Sequence, residues 1–113
     1  MRRSPSTADS IEVREVSPGH IALHGILEYE TARGAHEQGL ALIAESREPR
    51  LEVDCSQISR ADSAALAVLI DWMAEARARR LRLCVVNVPP HLRAIARISE
   101  VEELLEQGID CGA

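Results

Sequence analysis

A chain of 113 residues can bury one modest hydrophobic core and no more, so it is expected to be a single domain that acts largely through its surface. With 46% hydrophobic and 27% charged residues it falls among globular domains, and no run approaches the roughly 18 consecutive apolar residues of a membrane span. A net charge of −5 argues against nucleic acid as the main partner, because neutralising phosphates requires a basic face.

Residues 1–10 are polar and are expected to be a disordered lead-in. Ser4 to Ser10 lacks the apolar stretch of an export signal, which makes the cytoplasm the default location. From Ile11 the alternation of Ile11 and Val13, with Val16 out of step, predicts a strand, and Ser17-Pro18-Gly19-His20 a turn. Ile21, Leu23, Gly25 and Leu27 continue the alternation, so the two pieces form an antiparallel hairpin. His20 and His24 lie four apart on that strand, about 13 Å from each other, too far to share a metal ion. Thr31 to Arg47 reads as a helix weakened by Gly34 and Gly39, which must therefore rely on packing.

Leu51 to Cys55 is predicted as a short strand, with a loop from Ser56 to Ala61. Ala64 to Arg80 carries the strongest helical signal: Leu66, Leu69, Ile70, Met73 and Arg77 form one stripe, expected to face the core. Leu81 to Val86 is a strand, parallel to Leu51–Cys55 because a full helix joins them. After the break at Val88-Pro89-Pro90-His91, Leu92, Ile95, Ala96 and Ile98 predict a third helix, and Val101, Leu104 and Leu105 a further turn or two before a tail at 107–113. The fold class is therefore α/β: an open four-stranded mixed sheet with three to four helices, spanning 11–106. Cys55, Cys84 and Cys111 have no metal-ligand spacing and read as reduced thiols.

Asp62 and Ser63 both suit the start of a helix, where a side-chain oxygen accepts from unpaired backbone N–H groups. Ser63 is also a candidate phosphoacceptor or docking contact, since a phosphate there gains from the helix N-terminus and changes the charge of an interface. Away from the expected core stripe, Ala65, Val68 and Trp72 share an apolar flank, while Asp71 and Glu75 mark the solvated side. Trp72 has two readings: core at the edge of the sheet, or the anchor of an interface. Arg77, Arg79, Arg80 and Arg82 read first as a solvated complement to the helix dipole, with a phosphate or partner site as the alternative. No phosphate-binding loop, nucleophile elbow or zinc-protease motif is present, which argues against an enzyme and against a metal or other cofactor.

The span Ile58-Ser59-Arg60-Ala61-Asp62-Ser63-Ala64-Ala65-Leu66-Ala67-Val68-Leu69, with Gly25-Ile26-Leu27-Glu28 in the second strand, resembles the STAS domain family from about Ile11 to Leu105. That family includes the anti-sigma factor antagonists and the MlaB branch, small cytoplasmic subunits of phospholipid-transporting ABC systems that maintain outer-membrane lipid asymmetry. The resemblance places Ser63 where kinase-type anti-sigma factors phosphorylate the antagonists, with Asp62 as the preceding acidic residue. Ala65 stands where many members have glycine and Glu28 where antagonists often have aspartate, whereas Ser59-Arg60-Ala61-Asp62, the run Ala65 to Ile70 and Trp72 resemble the MlaB branch.

What the resemblance implies is a non-enzymatic regulatory subunit that binds the ATPase subunit of a lipid-transport ABC complex through Asp62, Ser63, Ala65, Val68 and Trp72, with the Pro90–Ile98 helix as a candidate second contact. It would lie in the cytoplasm, peripheral to the inner membrane through its partner and not itself inserted. The alternative it implies is an antagonist of an anti-sigma factor kinase, controlled by phosphorylation of Ser63.

Overall fold

The computed structural model describes residues 10–103, so the tail and all of the expected lead-in except Ser10 lie outside the described residues. The elements run β1 (Ile11–Ser17), β2 (His20–Leu27), α1 (Tyr29–Glu45), β3 (Arg50–Ala61), α2 (Ser63–Ala78), β4 (Arg82–Val86) and α3 (Pro90–Ile98). The strands form one open sheet in the order β1-β2-β3-β4. β1 and β2 are the expected antiparallel hairpin, while β2, β3 and β4 run parallel. This is the predicted mixed α/β architecture. Among the described residues no helix is long and apolar enough to cross a membrane.

The hairpin turns at Pro18-Gly19, where Gly19 takes φ +80, a value that L side chains rarely adopt. Val16 falls on the outward face with Glu12 and Arg14 and is left exposed, beside a register shift between Glu15 and Ser17. Gly25 has φ +120, and a Cβ there would overlap the Ser10 carbonyl, which accepts from the Ile26 N–H at 2.8 Å.

β3 is much longer than the five-residue strand expected, because Ser56 to Ala61 pairs with β2 instead of looping away. The pairing slips twice, between Ala22 and His24 and again between Gly25 and Ile26, and each time β3 carries an extra residue. Cys55 and Ile58 are both buried although they lie three apart. Bulged pairing of that kind erases the two-residue alternation by which a strand is recognised.

α1 begins two residues before Thr31 and ends two before Arg47. Its Glu28 N–H donates to Thr31 Oγ1 at 3.0 Å, and the threonine hydroxyl donates to the Ile26 carbonyl at 2.7 Å. Ala35, Gly39 and Ile43 form its buried line at four-residue spacing.

α2 departs most from expectation. Its buried line is Ala65, Leu69, Trp72 and Ala76, with Leu66 and Val68 beside it. Of the stripe expected to face the core, Leu66 and Leu69 are buried, Ile70 and Met73 are half-buried, and Arg77 is exposed. The helix is thus turned about a quarter turn from the orientation predicted. The cause lies in the partner helix: Gly39 of α1 has no side chain, and the Trp72 indole fills the space against it so closely that a Cβ at Gly39 would overlap the ring. The indole Nε1 donates to the His36 carbonyl at 3.1 Å. Small residues at Ala65 and Ala76, both buried, complete the buried face of α2.

Cys55 is a free thiol at the centre of the core, where burial first, and the Asp54 charge second, push its pKa up to about 12. Cys84 is disulfide-bonded, which corrects the expectation of free thiols for that residue, and Cys111 lies outside the described residues. Distance along the chain carries no information about such pairing.

Replacing either α1 glycine by alanine separates sterics from helix propensity. Gly39→Ala should lower unfolding stability by about 1–3 kcal/mol through overpacking against Trp72. Gly34→Ala, with nothing within 4 Å of the new methyl, should raise it by about 0.5–1 kcal/mol. Urea titrations followed by circular dichroism measure both.

Candidate functional site

Because β2, β3 and β4 are parallel, their C-terminal ends, Leu27, Ala61 and Val86, lie at one end of the sheet. α1, α2 and α3 all begin there, so three helix N-termini share one pole. In open α/β sheets this is the end at which binding sites are assembled.

Asp62 is the N-cap of α2. One carboxylate oxygen accepts from the Ala64 N–H at 2.9 Å and the other from the Tyr29 N–H at 3.1 Å, so one side chain ties the starts of α1 and α2 together. Ser63 is the first residue of α2; it is exposed, and among the described residues its hydroxyl has no hydrogen-bond partner. Beside them, Arg60 donates to both oxygens of Glu28, from Nε at 3.2 Å and from the terminal nitrogen at 3.0 Å. The Arg60 hydrogen bond holds the Glu28 carboxyl below its ordinary range; slight burial opposes this and the guanidinium charge adds to it. Below the pole, burial pushes the Asp54 carboxyl up, but hydrogen bonds from the Ser56 N–H and the Asn87 amide outweigh it and leave its pKa lowered. Asp54 thereby fixes the turn that leads into α3.

Starting at Ala64, the residue after Ser63, a groove of about 830 Å³ runs between α1 and α2, lined by Tyr29, Glu30, Ala32, Arg33 and His36 on one side and by Ala64, Ala67, Ile70 and Asp71 on the other. Tyr29, at its mouth, is 79% exposed. At its far end His36 Nε2 meets the Asp71 carboxylate, a contact that crosses from one helix to the other.

The structure divides the five residues expected to form the site. Asp62 and Ser63 stand together at the surface. Ala65 and Trp72 are wholly buried and Val68 is 5% exposed, only its edge reaching the groove floor. The flank expected to be free is the inward face of α2, so Trp72 is corrected from interface anchor to core residue. Tyr29, Ala64, Ala67 and Ile70 line the open surface instead. A signal for them existed: α2 is apolar without interruption from Ala64 to Ile70, more than one buried face can absorb.

Among the described residues no group of three or more His, Cys, Asp or Glu side chains is placed to hold a metal ion. The groove's histidine is engaged by Asp71, and Ser63 has no hydrogen-bonded base. A hydroxyl exposed on a helix N-terminus beside an open, mainly apolar groove is suited to docking or to carrying a phosphate.

The sheet and the capped α2 start define a STAS domain. The sequence profile described as the Mlab, STAS domain family matches residues 12–106, and the chain belongs to that family. No curated protein matches the sequence. Among solved structures, the anti-sigma factor antagonist SpoIIAA in its unphosphorylated form is similar with a TM-score of 0.60 and 16% identity, over 78% of this chain and 82% of that one. The phosphorylated form of SpoIIAA, a cell fate determinant of Bacillus, gives a TM-score of 0.62 at 16% identity, over 83% and 86%. An anti-sigma-factor antagonist (STAS) domain protein from Planctomyces limnophilus gives 0.63 at 12% identity, over 84% and 86%. At these identities the likeness is one of fold.

Asp62→Ala removes the cap and the bond to Tyr29 together, and should cost about 1–2 kcal/mol in a urea titration. Glu28 has a lowered folded pKa, so its pair with Arg60 stabilises the fold above the unfolded carboxylate pKa and ceases to as pH falls through the folded value. Arg60→Gln should therefore be destabilising at neutral pH, with the difference from the parent shrinking below about pH 4. Melting curves across that range give the comparison.

Proposed function

We propose that this chain is a non-enzymatic regulatory subunit that docks on the ATPase subunit of a phospholipid-transporting ABC complex. The docking surface is the pole of Asp62 and Ser63 together with Tyr29 and the α1–α2 groove. The observation that carries this reading is the exposed Ser63 at the start of α2, one residue before Ala64 of an open, mainly apolar groove, in a chain of the MlaB-type family. The groove supplies apolar area for a partner helix or loop, Asp62 and Ser63 fix its polar rim, and Trp72 braces the two walls from within. In this reading the protein works in the cytoplasm, reaches the inner membrane only through its partner, and supports ATPase activity by holding the partner's fold.

Co-purification of the tagged chain with the ATPase subunit tests it. Ser63→Glu places a carboxylate on the rim and Ala67→Arg fills the groove, and each should reduce the recovered complex at least tenfold with the melting temperature unchanged. Full recovery with both variants would remove this surface from consideration.

A second reading draws on the same hydroxyl: an anti-sigma factor antagonist released from its kinase when Ser63 is phosphorylated. The unpartnered, exposed Ser63 favours it, since nothing must be broken to modify it. Intact-mass measurement after incubation with a cognate kinase decides: one added phosphate, lost in Ser63→Ala, is the expected result, and an unchanged mass excludes this reading.

A further inference from the structure

At the opposite end of the sheet, where the strands start and the helices finish, the α1–β3 and α2–β4 connections lie side by side. Arg50 and Arg82 are cross-strand partners, and the Arg82 N–H donates to the Pro49 carbonyl at 2.9 Å. These two turns gather Arg47, Arg50, Arg77, Arg79, Arg80 and Arg82, all exposed, against Glu45, Glu48 and Glu75. The chain as a whole carries −5, so everything outside this pole is more acidic still.

The arginines are not needed to finish α2. Its last carbonyls are met by backbone: Glu75 and Ala76 accept from the Arg79 N–H at 3.1 and 3.0 Å, Arg77 from the Arg80 N–H at 2.9 Å, and Ala76 from the Leu81 N–H at 2.8 Å. Among the described residues only Arg79 of the six has a carboxylate within ion-pair range, Glu75 at 2.7 Å. Arg50 Nε instead meets the Cys84 sulfur at 3.4 Å. Arg80 sits at φ +62, the left-handed position where glycine is favoured and a side chain is strained. A strained residue carrying an unpaired charge points to a use outside the fold.

All 13 cationic side chains of this protein are arginine, the residue whose planar fork matches phosphate oxygens. Neither aromatic residue is at this pole: Tyr29 lies at the other end and Trp72 is buried, so the pole offers no tyrosine or tryptophan ring for nucleic-acid bases to stack on. We infer that the arginine pole is a second interaction surface, which seats the protein on an anionic phospholipid bilayer by contact with headgroup phosphates. The attachment is electrostatic and shallow, with no segment inserted, and it is favoured at this pole by the local excess of arginine over carboxylate. It does not depend on the docking reading above, because the groove opens at the opposite end.

Flotation of the full chain with vesicles tests it. Vesicles containing phosphatidylglycerol should carry the protein upward at low salt and release it at high salt, and vesicles of phosphatidylcholine alone should not carry it. Arg77→Gln/Arg80→Gln/Arg82→Gln should weaken binding roughly 100-fold, and Arg33→Gln/Arg93→Gln, away from the pole, should leave it unchanged. Arg80→Gly is the sharper variant: relief of the left-handed strain should raise the melting temperature while vesicle binding falls about fivefold. Inorganic phosphate should displace the protein no better than chloride of equal ionic strength; preferential displacement would mean a discrete phosphate site rather than a bilayer. Equal flotation with both vesicle types, no effect of the triple variant, or tighter binding to duplex DNA or to an acidic peptide than to the anionic vesicles would overturn the inference.

Discussion

The contact between Trp72 and Gly39 sets the relation of α1 to α2, and most of what matters here depends on it. The indole occupies the volume that any side chain at residue 39 would take, and its N–H is spent on the His36 carbonyl. α2 cannot roll without exposing a large aromatic ring and orphaning a buried donor. Its orientation is therefore fixed, and with it the identity of the residues left facing outward: Ala64, Ala67 and, in part, Ile70. The groove is the outer side of the joint that Trp72 makes on the inner side.

Asp62 plays the matching part at the pole. A cap needs only one carboxylate oxygen, and here the second is given to the backbone of another helix. The starts of α1 and α2 are thus held in one frame, and Ser63, next in the chain, is presented without being consumed by the fold. Glu28 and Arg60 neutralise each other alongside it. The rim is polar, ordered and close to charge-balanced, whereas the arginine pole is charged and largely unpaired. The docking surface and the lipid contact proposed above fall at these two opposite ends.

The sequence was legible where local rules decide and silent where two elements decide jointly. Period-two alternation located β1 and β2, proline and glycine located their turn, and a long apolar helix between two apolar strands implied a parallel pair. The Asp62 cap could be read because capping is a property of four consecutive residues. The phase of α2 could not. Leu66, Leu69, Ile70 and Met73 outweigh Ala65 and Ala76 on any hydrophobicity scale, yet the alanines face inward because a glycine 26 residues before Ala65, Gly39, makes room for Trp72. The length of β3 was hidden for a similar reason: its irregular alternation makes sense only beside β2. Arg80 is read as a helix-end cation in sequence and shows its left-handed backbone only in three dimensions.

The two bulges make β3 a measuring device. It carries two residues more than the stretch of β2 it pairs with, and that surplus brings Ala61 opposite Leu27 and Asp62 within reach of the Tyr29 amide. Deleting one residue between Cys55 and Ala61 would reverse the facing of everything that follows in the strand. Deleting two would restore the facing but draw the start of α2 back by about 6–7 Å, leaving α1 uncapped by its neighbour. Among relatives that keep this joint, the number of residues between Cys55 and Asp62 should therefore vary less than their identity. In this strand the spacing is the information, and the side chains are largely its carriers.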